Sequence, residues 1–344
     1  MQDTKGRRPG QFRPLLVIGS GALLATSVFL GLSLGSVSLP LRTIIHALAA
    51  GPGAQGVDTG HTILWTLRFP RVLLAFIEGA SLGVAGAAMQ GLFRNPMADP
   101  YVLGVSSGAS LGAVLGIVFG LGKVLGLWAL PALAFAGALL STGIVYVLST
   151  KDGHTDTWTL LLSGIAVSSL ISSVIAFLMV FFRQRVEEIV FWTMGGLSRA
   201  SWKAVASALP YSITGAGVLW FQSRALNAFS FGEEAAFHMG VPVEKVKRRI
   251  LWAGSLITAS CVAFTGPIGF IGLIVPHVVR ILIGPDHRYL MPVSALTGGN
   301  ALILADLLAR TVAPPLEIPV GVITSLFGAP FFLYLLARTR KRGM

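Results

Sequence analysis

The residue types that perform most enzyme chemistry are sparse in this sequence, and their spacing assembles no reactive group. The single cysteine, Cys261, lies in an apolar run, which favours a packing role. No two of the six histidines are four residues apart, so no metal-binding pair on one helix face is predicted. The chain has no G-x-x-x-x-G-K-[ST] motif for holding nucleotide phosphates. We therefore expect no catalytic residue, no metal site and no directly bound cofactor.

Two carboxylates lie within long apolar runs, where a charge is costly and a function is the default hypothesis. They are Glu78 and Asp306. A secondary transporter driven by an ion gradient needs such carboxylates as a relay, so this class is an alternative that the two residues leave open. Glu78 is expected to be either neutral or paired with a basic group on a neighbouring helix.

A polar stretch, residues 223–249, contains a second candidate site, and we call it the coupling segment. Its letters EEAAFHMG fit the EAA-x-x-x-G pattern of importer permeases. The pattern predicts a short amphipathic helix that ends at the glycine with a positive φ and seats in a groove on a partner ATPase. An ordinary surface helix is the alternative. The residues assigned to coupling are Glu233, Glu234, Ala235, Ala236 and Gly240.

Apolar segments must position these residues. The 344 residues are 54% hydrophobic and 12% charged, whereas a soluble domain has about 25% charged residues. A single soluble core stops growing near about 250–300 residues, so the apolar side chains are predicted to face lipid. The net charge of +12 comes from short basic clusters between apolar runs, which is typical of the positive-inside pattern rather than of a nucleic-acid-binding surface.

The sequence predicts an all-α, polytopic membrane protein with about ten transmembrane helices, forming one transmembrane domain over residues 1–344. Each span needs about 20 apolar residues. Both termini are predicted to be cytoplasmic, because most of the basic residues then fall inside, and residues 1–14 form a cytoplasmic tail. One span, 270–283, is too short to cross alone, and a short interfacial helix is predicted within 183–202. The predicted spans are 15–35, 70–91, 103–120, 126–148, 158–182, 203–222, 250–265, 270–283, 290–309 and 318–337.

Several longer segments together resemble the FecCD permease family, which imports iron–siderophores, haem and cobalamin. They occur in the family's order, from about residue 65 to the C-terminus, so they identify the family far more specifically than one motif would. The segments are RFPRVLLA (68–75), GAAMQGLFRNPMADPYVLGVSSGA (86–109), GFIGLIVPHVVR (269–280), GPDHR (284–288), ADLLAR (305–310) and LEIPVGVITSLFGAPFFLYLL (316–336).

The resemblance implies a homodimer of ten-helix subunits, two cytoplasmic ATPases that use the ATP, and an external substrate-binding protein. The chain is then a transport subunit of an importer in the bacterial plasma membrane and not an enzyme. The implied cargo is a metal chelate. A ferric siderophore is the first expectation because of the breadth of the family, and haem and cobalamin are the alternatives.

The resemblance also implies residue roles at both membrane faces. Three arginines, exposed outside, are expected to pair with two acidic residues on the binding protein; interfacial anchoring is the alternative. The loop after the second helix matches one cytoplasmic gate, although Asn-Pro is also an ordinary turn. The start of the fifth helix matches the other gate less clearly, and that helix, 158–182, is expected to line the central path. The docking residues are Arg68, Arg71 and Arg310, and the gate residues are Asn95, Pro96, Met97 and Thr157.

Overall fold

The structure is a computed structural model that describes residues 13–35, 37–52, 58–126 and 128–342. The predicted tail, 1–14, lies almost entirely outside the described residues. Within the described ranges the strands are two short ones that form a hairpin. The elements are α1 (Arg13–Ser33), α2 (Leu41–Ala50), α3 (Thr59–Leu92), α4 (Val105–Val118), α5 (Leu121–Leu125), α6 (Ala129–Ser149), β1 (Thr150–Lys151), β2 (His154–Thr155), α7 (Thr157–Phe181), α8 (Val186–Thr193), α9 (Trp202–Phe221), α10 (Ser223–Phe229), α11 (Glu233–His238), α12 (Val243–Thr265), α13 (Ile271–Ile283), α14 (His287–Ala309) and α15 (Val320–Arg342).

Every predicted span lies largely within one helix, so the all-α membrane fold is confirmed. Five helices are long and apolar enough to cross a membrane by themselves: α3, α6, α7, α9 and α14. The others are shorter or more polar, so the count of ten spans is approximate. Helix α13 has 13 residues and, as predicted, is too short to cross alone. The predicted interfacial helix within 183–202 is α8.

Helix α3 begins at Thr59, well before the predicted start at residue 70. The sequence suggests a helix start at Pro70, because proline is favoured in a first helical turn. Instead, the chain enters Pro70 through a π-helical stretch, Ile63–Arg68, and the Phe69 N–H donates to the Leu64 carbonyl. This wider turn accommodates a residue that has no N–H of its own.

Helices α3 and α14 are antiparallel and form the central pair of the fold. Their backbones touch where small residues face each other: a Cβ atom added at Gly79 would overlap the carbonyl of Gly298, and one added at Gly83 would overlap the carbonyl of Ser294. Such close approach is how membrane helices gain packing energy without a hydrophobic driving force. We call the end of the pair where α3 begins the arginine end, and the opposite end the coupling end.

The segment between α12 and α13 is a break in the helical structure. It contains two residues with positive φ, Gly266 and Phe270. Tyr101, from the connection before α4, satisfies the backbone here: its hydroxyl donates to the Ile268 carbonyl at 3.1 Å and accepts from the Ile268 N–H at 3.2 Å. Non-helical backbone at membrane depth is stable only when protein groups satisfy it in this way.

Candidate functional site

At the arginine end, Arg71 connects two acidic residues of the same chain. Its Nη2 lies 2.9 Å from Asp306 of α14, and its Nη1 lies 2.9 Å from Glu317, which precedes α15. Asp306 also lies 3.4 Å from Nε of Arg310. Asp306 is almost fully buried, whereas Glu317 is 43% exposed. The three predicted arginines therefore lie together, and the carboxylate partners of Arg71 and Arg310 belong to the same chain.

Arg68 and Arg310 are not exposed, so that part of the prediction is wrong: each is only 5% exposed. Both guanidinium groups hydrogen-bond to carbonyls at the C-terminal end of α1. Arg68 donates to Leu32 at 2.6 Å and Ser33 at 2.7 Å, and Arg310 donates to Gly31 at 2.5 Å. These arginines satisfy carbonyls that have no partner within the helix, and their charge complements the helix dipole. Arg71, with 13% of its side chain exposed, is the most accessible of the three.

A cavity of about 370 Å³ opens beside this cluster. All three arginines and Glu317 line it, together with residues of the connection before α9, such as Ser198. The surrounding charges are three arginines against Asp306 and Glu317, so the cluster keeps a positive charge. This arrangement suits an approaching carboxylate, although Arg71 already holds two carboxylates from within the chain and Arg310 holds one of them.

At the coupling end, the predicted short helix is present as α11, Glu233–His238. Its Ala236 is fully buried, while Glu234 is exposed. The helix ends as predicted: Gly240 has φ +83°, and its N–H donates to the Phe237 carbonyl at 2.9 Å. A side chain at Gly240 would meet no atom within 4 Å, so its backbone conformation is the reason for glycine there.

The coupling helix is bonded to the predicted second gate. The Thr157 hydroxyl, at the start of α7, donates to the Glu233 carboxylate at 3.2 Å. Lys247 of α12, a buried residue, lies 2.5 Å from the same carboxylate and donates to the Thr155 carbonyl at 2.9 Å. Thr155 closes the hairpin β1–β2, which the sequence did not predict. Hydrogen bonds therefore link α11 directly to the first turn of α7 and, through Lys247, to the hairpin.

The first predicted gate, the loop Asn95–Met97, forms a turn after α3. The Asn95 side chain accepts a hydrogen bond from the Met97 N–H at 2.9 Å. This is the ordinary Asn-Pro turn that the sequence analysis gave as the alternative. Pro96 and Met97 lie against α13 and α15, where they share a small cavity with His277. No bond described in this loop tests a gating role, which stays a prediction.

The coupling segment is also attached to α14. Asn227 donates to Asp286 at 2.7 Å and accepts from the His287 N–H at 2.9 Å, just where α14 begins. Hydrogen bonds from Arg288, chiefly, hold the pKa of Asp286 below its ordinary value. Helix α14 thus starts at the coupling segment and ends at the arginine cluster, so that one continuous helix connects the two sites.

Residues 23–338 match the FecCD transport family. This chain belongs to that family. The chain is 48% identical to the cobalamin import system permease protein of Halobacterium salinarum, over 90% of this chain and 82% of that one. It is 40% identical to the hemin transport system permease protein of Yersinia pestis, over 97% and 98%. A solved structure, described as an inward-facing metal-chelate type ABC transporter, superposes with a TM-score of 0.84 at 29% identity, over 94% of this chain and 99% of that one.

Membership confirms the resemblance seen in the sequence. The family comprises multi-pass membrane permeases of ABC importers, which work with separate ATPase subunits and with substrate-binding proteins.

The buried carboxylates also give the secondary-transporter alternative no support. Asp306 is held by two arginines, and Glu78 accepts a hydrogen bond from the Thr265 hydroxyl at 2.7 Å without a basic partner among the described residues. The two therefore do not form a relay.

Sequence reasoning missed two residues of these sites, Glu317 and Lys247. A weak signal existed for each. Glu317 is an acidic residue at the same end of the molecule as the three arginines. Lys247 lies three residues after Glu244, and at this helical spacing the two side chains meet at 3.4 Å. Neither signal identifies the distant partner, Arg71 or Glu233.

Proposed function

We propose that this permease, as a homodimer, forms the membrane path of an importer for a metal chelate, with two ATPases at the coupling end and a binding protein at the arginine end. The observation that carries the proposal is the bonded connection from Glu233 of the coupling helix to Thr157 and Lys247. Through this connection, an ATPase that binds α11 acts mechanically on α7. The permease then contributes a difference in stability between inward and outward states, not chemistry.

The surface around α11 supports an ATPase contact. Three large apolar side chains, Phe231, Phe237 and Met239, are exposed there, each by more than half. In a monomer in water such exposure is unfavourable, and an amphipathic helix with exposed aromatic anchors is a common occupant of a groove on a partner. Glu233 and Glu234 in the first turn of α11 add negative charge next to these anchors.

Helix α7 supports the homodimer and the central path. Its buried residues form one narrow stripe: Leu160, Gly164, Val167 and Ile171. The rest of this apolar helix is open, which leaves large faces for lipid, for a second copy and for the path. A path lined mainly by apolar and serine side chains suits a bulky chelate, since a strong binding group would trap it.

Docking at the arginine end is proposed for Arg71 rather than equally for all three arginines. Arg71 is the least buried of them and its second partner, Glu317, is accessible from outside the cluster. Arg68 and Arg310 contribute positive potential to the cavity while they hold the end of α1. A carboxylate of the binding protein would then approach Arg71 in competition with Glu317.

Two cargo classes are candidates. A ferric siderophore is favoured by the breadth of the family, and cobalamin is favoured because a relative named for cobalamin import is 48% identical, above the 40% of the relative named for hemin transport. Proteoliposomes that contain the permease, its ATPase and its binding protein test both. We expect ATP-dependent uptake of one labelled chelate and no ATP hydrolysis by the permease alone. Uptake that proceeds without the ATPase would refute the proposal.

A further inference from the structure

A cavity of about 640 Å³ lies at the arginine end, between the α4–α6 connection and helices α8 and α9, outside the arginine cluster. Ile117, Leu130 and Phe264 line it and are buried or half-buried, and we call these apolar residues its floor; Trp128 and Trp192 line it as well. Trp128 packs edge-on against Phe264, with ring centroids 6.1 Å apart. Ligand sites in proteins typically have volumes of about 300–1,000 Å³ and a mostly apolar lining, so the cavity has the dimensions of a binding site.

The rim of this cavity is strongly basic. Lys123, Arg185, Arg199 and Lys203 line it together with a single acid, Glu188. Arg185 lies 3.5 Å from Glu188 and neutralises it. The other three cations are exposed, and none forms a salt bridge with another residue in the described part of the chain. Three uncompensated positive charges therefore surround an apolar floor.

The position of the cavity is that of a membrane interface. It lies where α4 ends and where α6 and α9 begin, and it is flanked by tryptophans, which are enriched at headgroup level. Val124 and Leu125 of α5, beside the opening, are largely exposed although they are apolar. A ligand that matches the basic rim, the apolar floor and the interfacial position needs an anionic head and a hydrocarbon part.

We infer that the cavity binds an anionic phospholipid. Its phosphate lies between Lys123, Arg199 and Lys203, and the part of an acyl chain nearest the headgroup lies on the floor, against Ile117 and Phe264. A zwitterionic lipid lacks the net charge that three free cations favour. A soluble anion leaves the apolar floor empty. Another cavity, of about 120 Å³, is lined by Trp192 and Arg199 together with Arg71 and Glu317, so a bound lipid would support a wall of the arginine cluster.

The test is native mass spectrometry of the purified permease with phosphatidylglycerol or phosphatidylcholine, and it needs neither ATPase nor cargo, so that its result is independent of the proposed function. We expect saturable binding of phosphatidylglycerol and weak binding of phosphatidylcholine. The variant K123Q/R199Q/K203Q should bind phosphatidylglycerol about 100-fold more weakly, at about fivefold for each basic residue near a lipid surface. These side chains are exposed, so the variant should fold.

The matched control is K151Q/R224Q/K245Q, which removes three exposed charges at the coupling end. It should retain phosphatidylglycerol. An equal loss in this control, or equal binding of both lipids by the natural protein, would overturn the inference. Displacement of the lipid by inorganic phosphate or glycerol phosphate would indicate a soluble-anion site and would overturn it as well. So would a K123Q/R199Q/K203Q variant that keeps its lipid and loses only affinity for the binding protein.

Discussion

Replacing Glu317 with glutamine tests how the arginine end receives a partner. In the structure both oxygens of the Glu317 carboxylate accept a hydrogen bond from Nη1 of Arg71, at 2.9 and 3.1 Å. If a carboxylate of the binding protein must reach Arg71, Glu317 is its competitor and also repels it. Glu317→Gln keeps the shape of the side chain and removes the charge. The affinity of the binding protein should therefore rise.

The magnitude follows from the exposure of the pair. Asp306 continues to hold the other side of Arg71 at 2.9 Å, so that only the half-exposed contact is lost. Exposed ion pairs contribute about 0.2–1 kcal/mol, and two unit charges 4 Å apart in water interact by about 1 kcal/mol. Removing the competitor should thus tighten binding by roughly 1.4- to 5-fold. Most of the gain should appear in the association rate, as is usual for charges at a rim.

The assay is binding of the cognate binding protein to the permease in nanodiscs at two salt concentrations. The gain should shrink at about 1 M salt, where the screening length falls to about 3 Å. Glu187→Gln is the matched control, because Glu187 is exposed on α8 at the same end but outside the cluster. An unchanged or weakened affinity for Glu317→Gln in an intact permease would refute the competition, as would an equal gain in the control.

Three further outcomes follow from the packing and the coupling site. Gly79→Ala should separate α3 from α14 and destabilise the fold by about 1–3 kcal/mol, seen as a lower unfolding temperature in detergent, whereas Gly217→Ala, which meets no atom, should not. Gly240→Val should reduce ATP-dependent uptake through a helix-end strain of about 1 kcal/mol, and an asparagine there should restore it; uptake untouched by valine would contradict the coupling assignment. Lys247→Met should leave the Glu233 carboxylate without its cationic partner and lower coupled uptake, with partial rescue when Glu233 is also replaced by Gln. No rescue would mean that Lys247 acts elsewhere.

The helical architecture was predictable because it depends on local properties. Runs of apolar residues long enough for a membrane specify helices wherever they occur, and each predicted span lies on one. The coupling helix was likewise local: EEAA forms a turn of helix and Gly240 ends it, with the positive φ that was expected. The start of α3 was not predictable, since the π-helical turn before Pro70 depends on how Ile63–Arg68 packs.

The sequence by itself determined that this chain is an all-helical membrane permease, where its apolar helices lie, and which residue types lie at each end. Only the tertiary structure decided what those residues do. Arg71 meets Asp306 and Glu317, and Arg68 holds the end of α1, because the register of α3 against α14 and α1 brings distant positions together. That register depends on backbone contact at pairs such as Gly79 and Gly298, more than 200 residues apart. No local pattern encodes such a pairing, since the two residues of each salt bridge meet only through the packing of helices that are distant in sequence.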